Sequence, residues 1–209
     1  MKKIVFTIAL GLGLLTASAQ IQSLSGPRLG LVYISASPGS SFLNGDIRLE
    51  DTGDLPEDYN DIAKGALTTL YGWQWESRFA DGGNVTGIVE WIALVGGLEK
   101  GKFLPSVSSM VGARTASGIE FAVGPNLSLS GIAMVFGMGY NFKSGNLNIP
   151  VNIAFVPGRK VTYSKQEESQ ERYNELLDEW ETTIYQKGYD IDYNSGNRFS
   201  ITVGFNLSK

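Results

Sequence analysis

Residues 198 to 209 read RFSITVGFNLSK, and the stretch alternates from end to end. Phe199, Ile201, Val203, Phe205 and Leu207 take one side; Ser200, Thr202, Gly204, Asn206 and Ser208 take the other. An extended strand sends successive side chains to opposite faces, so one face is large and apolar and the other small and polar. Such a strand suits a wall with hydrocarbon outside and a narrow polar interior.

The pattern recurs upstream. In 66–80, Leu67, Thr69, Tyr71, Trp73, Trp75 and Phe79 share one face; Thr68, Gly72, Gln74, Glu76 and Arg78 share the other. In 130–142, Ile132, Met134, Phe136, Met138, Tyr140 and Phe142 alternate with Gly131, Ala133, Val135, Gly137, Gly139 and Asn141. Further strands are expected over 27–36, 85–95, 103–113, 118–123 or on to Asn126, with a turn or a bulge at 124–126, and 147–156. Pro150 lacks a ladder donor and predicts a local bulge or broken bond. Connections after the second, fourth and sixth strands are short, and those after the first and seventh are long. Transmembrane barrels keep short turns on the periplasmic side and long loops outside.

The N-terminus has the form of an export signal. Lys2 and Lys3 precede an apolar run from Ile4 to Leu15, and Ala17, Ser18 and Ala19 form a small-residue cleavage site. The reading is a signal peptide over 1–19, cleaved after Ala19, and a barrel domain over 20–209 with long loops at about 37–65 and 157–197. The last loop has helical spacing, with Tyr173, Leu177 and Trp180 on one apolar stripe among acids. The expected fold is therefore all-β. It is an eight-stranded antiparallel transmembrane β-barrel with an amphipathic helix in the last long loop, placed in the outer membrane.

Composition narrows the function classes. The chain has no cysteine and no histidine, so an imidazole-based triad, a Cys-His pair and a His/Cys zinc site cannot be built. The expectation is a protein that is not an enzyme, with no cofactor, no metal and no catalytic residue. A formal charge of −4, without a basic stripe, argues against nucleic acid as a partner.

Several segments together resemble the small Gram-negative outer-membrane β-barrel domain proteins with porin-family-like sequences. They are the signal end Ala17 to Gln20, the run SGIEFAVGPNLS at 117–128, GNLNIPVNIA at 145–154 and VGFNL at 203–207. The resemblance implies a fold and a cellular address and no reaction. The chain departs from many such barrels in ending on Leu207, Ser208 and Lys209 after its last aromatic, Phe205.

Two groups of residues stand out. By alternation Arg28, Glu76, Arg78, Glu90, Arg114 and Glu120 point inward, as do Lys143 and Arg198. They form either a salt-bridged filling or a charged constriction, and eight strands leave room for little beyond side chains. Tyr71, Trp73, Trp75, Trp91, Phe136 and Tyr140 point outward and read as a lipid-facing band rather than a stacking platform. The expected role is structural or surface-interacting, and the alternative is a porin-like channel for small solutes. The partners expected are outer-membrane lipid and a surface or envelope protein reached through the long loops. The loop helix is open to two uses, a lid on the barrel mouth or a partner ridge.

Overall fold

A computed structural model describes residues 24–47, 59–174 and 179–208. The signal segment, residues 48–58 of the acidic first loop and Leu177 lie outside the described residues.

Seven long strands follow one another: β1 Leu24–Ile34, β2 Ala66–Asp81, β3 Val85–Gly96, β4 Leu104–Thr115, β5 Ile119–Ser128, β6 Gly131–Ser144 and β7 Leu147–Val156. Each pairs antiparallel with the next. The eighth wall strand comes in two pieces, β12 Arg198–Gly204 and β13 Asn206–Ser208. It pairs with β7 on one side and β1 on the other. Arg28 opposite Gly204 and Ile34 opposite Arg198 close the ring. The result is a closed eight-strand antiparallel barrel with no free edge.

The alternation explains the wall. On β6, Ile132, Met134, Phe136, Met138, Tyr140 and Phe142 are between 40 % and 65 % exposed, while Val135 and Asn141 are buried inside. Leu29, Leu31 and Tyr33 on β1, and Val107 and Val111 on β4, extend the same apolar outer surface. A belt of this extent exceeds what a soluble monomer shows to water.

Three connections at one end are short: residues 82–84, 116–118 and 145–146. The last is a two-residue hairpin that Gly145, at φ 58°, makes possible. The other end carries 35–65, 97–103, 129–130 and 157–197. There the first loop forms helix α1, Pro38–Asn44, and helix α2, Tyr59–Ile62. Ser37 and Ser40 make a reciprocal cap at the start of α1, with Ser40 N donating to Ser37 Oγ at 3.2 Å and Ser37 N to Ser40 Oγ at 2.9 Å. The α1 residue Leu43 buries against Val32, Ile34, Ala66 and Leu70, folding the helix onto the barrel mouth.

The last loop differs from its sequence reading. It holds two β-ribbons, β8 Lys160–Lys165 with β11 Tyr189–Asn194, and β9 Glu168–Asn174 with β10 Glu179–Gln186. Tyr173 and Trp180, expected on one helical stripe, are cross-strand partners. The segment from Trp180 to Tyr185 is rich in aromatic and β-branched residues, which favour strand. The β8–β11 pairing brings the two ends of the loop together, and each of the two ribbons pairs its own backbone groups.

Two other boundaries moved. β5 runs straight through Gly124 and Pro125, expected as a turn or a bulge, and on past Asn126 to Ser128. Its ladder with β4 skips from Val111–Val123 to Ser108–Asn126, and the backbones press so close that a Cβ on Gly124 would stand 1.9 Å from the Ser109 carbonyl oxygen. Glycine and proline serve here as a close-approach device within a strand. Pro150 stays in register with Asn141 of β6, and the ladder breaks on its other side, where the last strand is interrupted at Phe205. Gly204 lies against the Pro150 ring, and Phe205 N donates to Pro27 O at 3.0 Å. The interrupted strand thus has a proline beside it on both flanks.

Candidate functional site

The barrel interior is built in two layers. The layer nearer the short turns is polar and charged. Glu76 stands opposite Glu90 across β2 and β3, and Arg114 opposite Glu120 across β4 and β5. Arg28, Glu76, Glu90, Arg114 and Glu120 are all buried. Arg114 Nη1 donates to Glu76 Oε1 at 2.7 Å and Nη2 to Glu76 Oε2 at 2.5 Å, while its Nε donates to Glu120. Arg78 comes to 4.0 Å from Glu76. The wide register places Glu90 at the level of Glu76, lower than strand alternation alone indicates.

Glu90 accepts from Gln74 Nε2, and Gln74 Oε1 accepts from Asn206 at 3.2 Å. Asn141 donates to Asn148 at 3.0 Å. Arg28 donates from Nη2 to the Asn152 amide oxygen at 3.0 Å and lies within electrostatic reach of Glu90. The charges cross-link β1 through β5, and the amides extend the filling to β6, β7 and β13. Lys143 differs from the others in lying exposed at the short-turn end.

The layer nearer the long loops is unlike the sequence expectation. Its lining is largely apolar: Ile92, Met110, Val135 and Val156 form one buried cluster, and Val32, Ile34 and Leu70 another beneath Leu43. Between them lies a cavity of about 170 Å³ with hydroxyls of Ser106, Ser108, Ser200 and Thr202 on its wall. The signal was present in β1 and β3. LGLVYI at 29–34 and IALV at 92–95 are apolar on both faces, so both inside and outside must be apolar there. Arg198 lines this cavity too.

At the rim, Glu99 accepts from Thr68 Oγ1 at 2.5 Å, from Thr69 N at 3.2 Å and from Thr69 Oγ1. These bonds favour the ionised form and hold its carboxyl down at about 2. Above the rim the two long loops pack on each other. Tyr59 of α2 meets Tyr193 of β11 edge-on with ring centres 6.3 Å apart, beside buried Ile191. Its hydroxyl lies 3.3 Å from Ser41 Oγ, and burial raises its ionisation above the ordinary tyrosine value. Asn60 Nδ2 donates to Asp192 O at 2.9 Å. Among the described residues no cluster of three or more carboxylates is placed to hold a metal ion.

Tyr71, Trp73, Trp75, Trp91, Phe136 and Tyr140 all stand on the outer wall, each 40 % to 52 % exposed. No helix among the described residues is long and apolar enough to cross a membrane, which leaves strand crossing untouched.

No family model and no curated protein matches the chain. Among solved structures, it is similar to "OmpT (in-vitro folded), an outer membrane protein of Vibrio cholerae", at 12 % identity and a TM-score of 0.24. The match covers 69 % of this chain and 43 % of that one. A likeness at that level carries no argument about function. The class that the fold defines is a closed, apolar-walled β-barrel with a packed polar layer.

Proposed function

We propose that the chain is an outer-membrane β-barrel protein with a structural or surface-interaction role, its lumen closed to flow by side chains. The observation that carries this reading is the clasp of Arg114 on Glu76 and Glu120 in a layer that spans the interior. A narrow barrel filled by paired charges and amides leaves no continuous water path. The exposed apolar belt supports a lipid surround, with Trp73, Trp75 and Trp91 in its outer face. The short turns then face the periplasm and the packed long loops face outward, where they offer a surface to an envelope partner. Cleavage after Ala19 and delivery through the export route belong to the same reading.

The porin-like alternative draws on the cavity above the charged layer. Single-channel recording on the refolded protein in a planar bilayer separates the two. The structural reading expects silence, and steady conductance altered by Glu76→Gln would replace it with the channel.

A further inference from the structure

We infer that the cavity between the charged layer and α1 is a binding site for a small organic carboxylate with a compact hydrocarbon body. The only charged side chains lining it, among the described residues, are Arg28 and Arg198, and no carboxylate faces it. The two arginines differ. Arg28 sits at the floor, buried, with Glu90 below it. Arg198 has no carboxylate within ion-pair distance among the described residues; its Nη1 donates to Ser128 Oγ at 2.9 Å, and its buried Nε has no acceptor.

A half-buried guanidinium whose Nε is shut off from water without an acceptor carries a desolvation cost, and a carboxylate is the group whose geometry matches its fork. A bare inorganic anion would meet only part of the site, because Val32, Ile92, Met110, Val135 and Val156 make the rest of the wall apolar. Both halves are used by one ligand that carries a single negative head at Arg198 and an uncharged tail among those side chains. Ser108, Ser200 and Thr202 line the cavity beside them and offer hydroxyls to the second head oxygen.

Size sets the tail. A cavity of about 170 Å³ has space on the order of ten water-sized groups. An acid of roughly six to eight carbons fits that count. The paired amides and charges beneath Arg28 form a floor, so the ligand enters and leaves by the mouth, where Arg159 stands exposed beside Gly131. The inference stands on the cavity alone and does not depend on the barrel being silent in conductance.

The test uses the full mature protein refolded in lipid nanodiscs, titrated calorimetrically with sodium hexanoate, sodium acetate and hexan-1-ol, with empty nanodiscs as the blank. Hexanoate is expected to bind saturably at one site, and acetate and hexanol roughly tenfold or more weakly, because each lacks one half of the recognition. Arg198→Gln is expected to weaken hexanoate by about tenfold. Ala154→Leu, which leaves both arginines and fills the apolar part, is expected to abolish saturable binding. Absence of saturable heat with the parent overturns the proposal. So does hexanol binding as tightly as hexanoate, or unchanged hexanoate affinity in folded Arg198→Gln. If Arg198→Gln does not fold, the hexanol comparison in the parent and the Ala154→Leu result decide.

Discussion

Arg114 reaches past β3 to grip Glu76 on β2 with two parallel hydrogen bonds, and its remaining Nε turns to Glu120 on β5. One side chain on β4 thus ties β2 and β5 to its own strand, bridging over β3. Removing it strands two buried carboxylates at once, whereas removing one acid leaves Arg114 a second partner.

Arg114→Met is therefore expected to destabilise the barrel by about 3–5 kcal/mol, and Glu120→Gln by less. Denaturant unfolding in lipid vesicles measures both. Equal losses in the two variants would remove Arg114 from the centre of the network.

Asp61 lies exposed in the first long connection, and Asn84 and Ser144 are exposed at the short-turn end. In cells, an impermeant thiol reagent is expected to label Asp61→Cys and to leave Asn84→Cys and Ser144→Cys unmodified. The native chain has no cysteine, so there is no background. The reverse labelling pattern would turn the barrel upside down in its membrane.

The rim carboxyl of Glu99 is held down to about 2 by its threonine donors. A carboxyl depressed in the folded state stabilises above its unfolded value, and that contribution is lost as pH falls through the folded one. The stability added by Glu99 is therefore full above about pH 4.5 and declines toward pH 2. Glu99→Gln is expected to flatten this part of the pH–stability curve, and a carboxyl NMR titration of Glu99 with an ordinary midpoint would refute it.

Two glycines should respond in opposite directions to alanine. At Gly124 the new methyl meets the Ser109 carbonyl oxygen, with an expected loss of about 1–3 kcal/mol. At Gly39, inside α1, it meets only Ser37 Oγ at 3.8 Å, and the helix should gain about 0.5–1 kcal/mol. Thermal or denaturant midpoints of the two variants, measured side by side, check the contrast.

The legibility of the chain varied for identifiable reasons. β7 was readable to the residue, because 147–156 alternates between a two-residue turn and a run of loop residues. β5 was cut short because Gly124 and Pro125 have the composition of a turn, and only the neighbour across the ladder reveals a close approach. The last loop misled because Tyr173, Leu177 and Trp180 satisfy a helical period, while the hairpin that sets 168–174 against 179–186, and the outer pairing of 160–165 with 189–194, are invisible to a count along one segment. The inward charges follow from simple alternation, but which acid meets which arginine depends on register. That is why Glu90 turned out to bond Gln74. The apolar upper lumen was missed for a different reason: the two-sided apolar runs at 29–34 and 92–95 carry the signal, but as a lack of alternation rather than as a pattern.

The prolines flanking Phe205 bear on mechanics. A cylinder hydrogen-bonded evenly all round resists flattening equally in every direction. This one has a crease: Pro27 and Pro150 bring no amide hydrogen to the same height of the wall, and the strand between them is divided there. When lateral pressure in the bilayer changes, the cross-section is expected to turn oval about that line, with Phe205 as the hinge pin and the opposite wall, stiffened by Arg114, keeping its curvature.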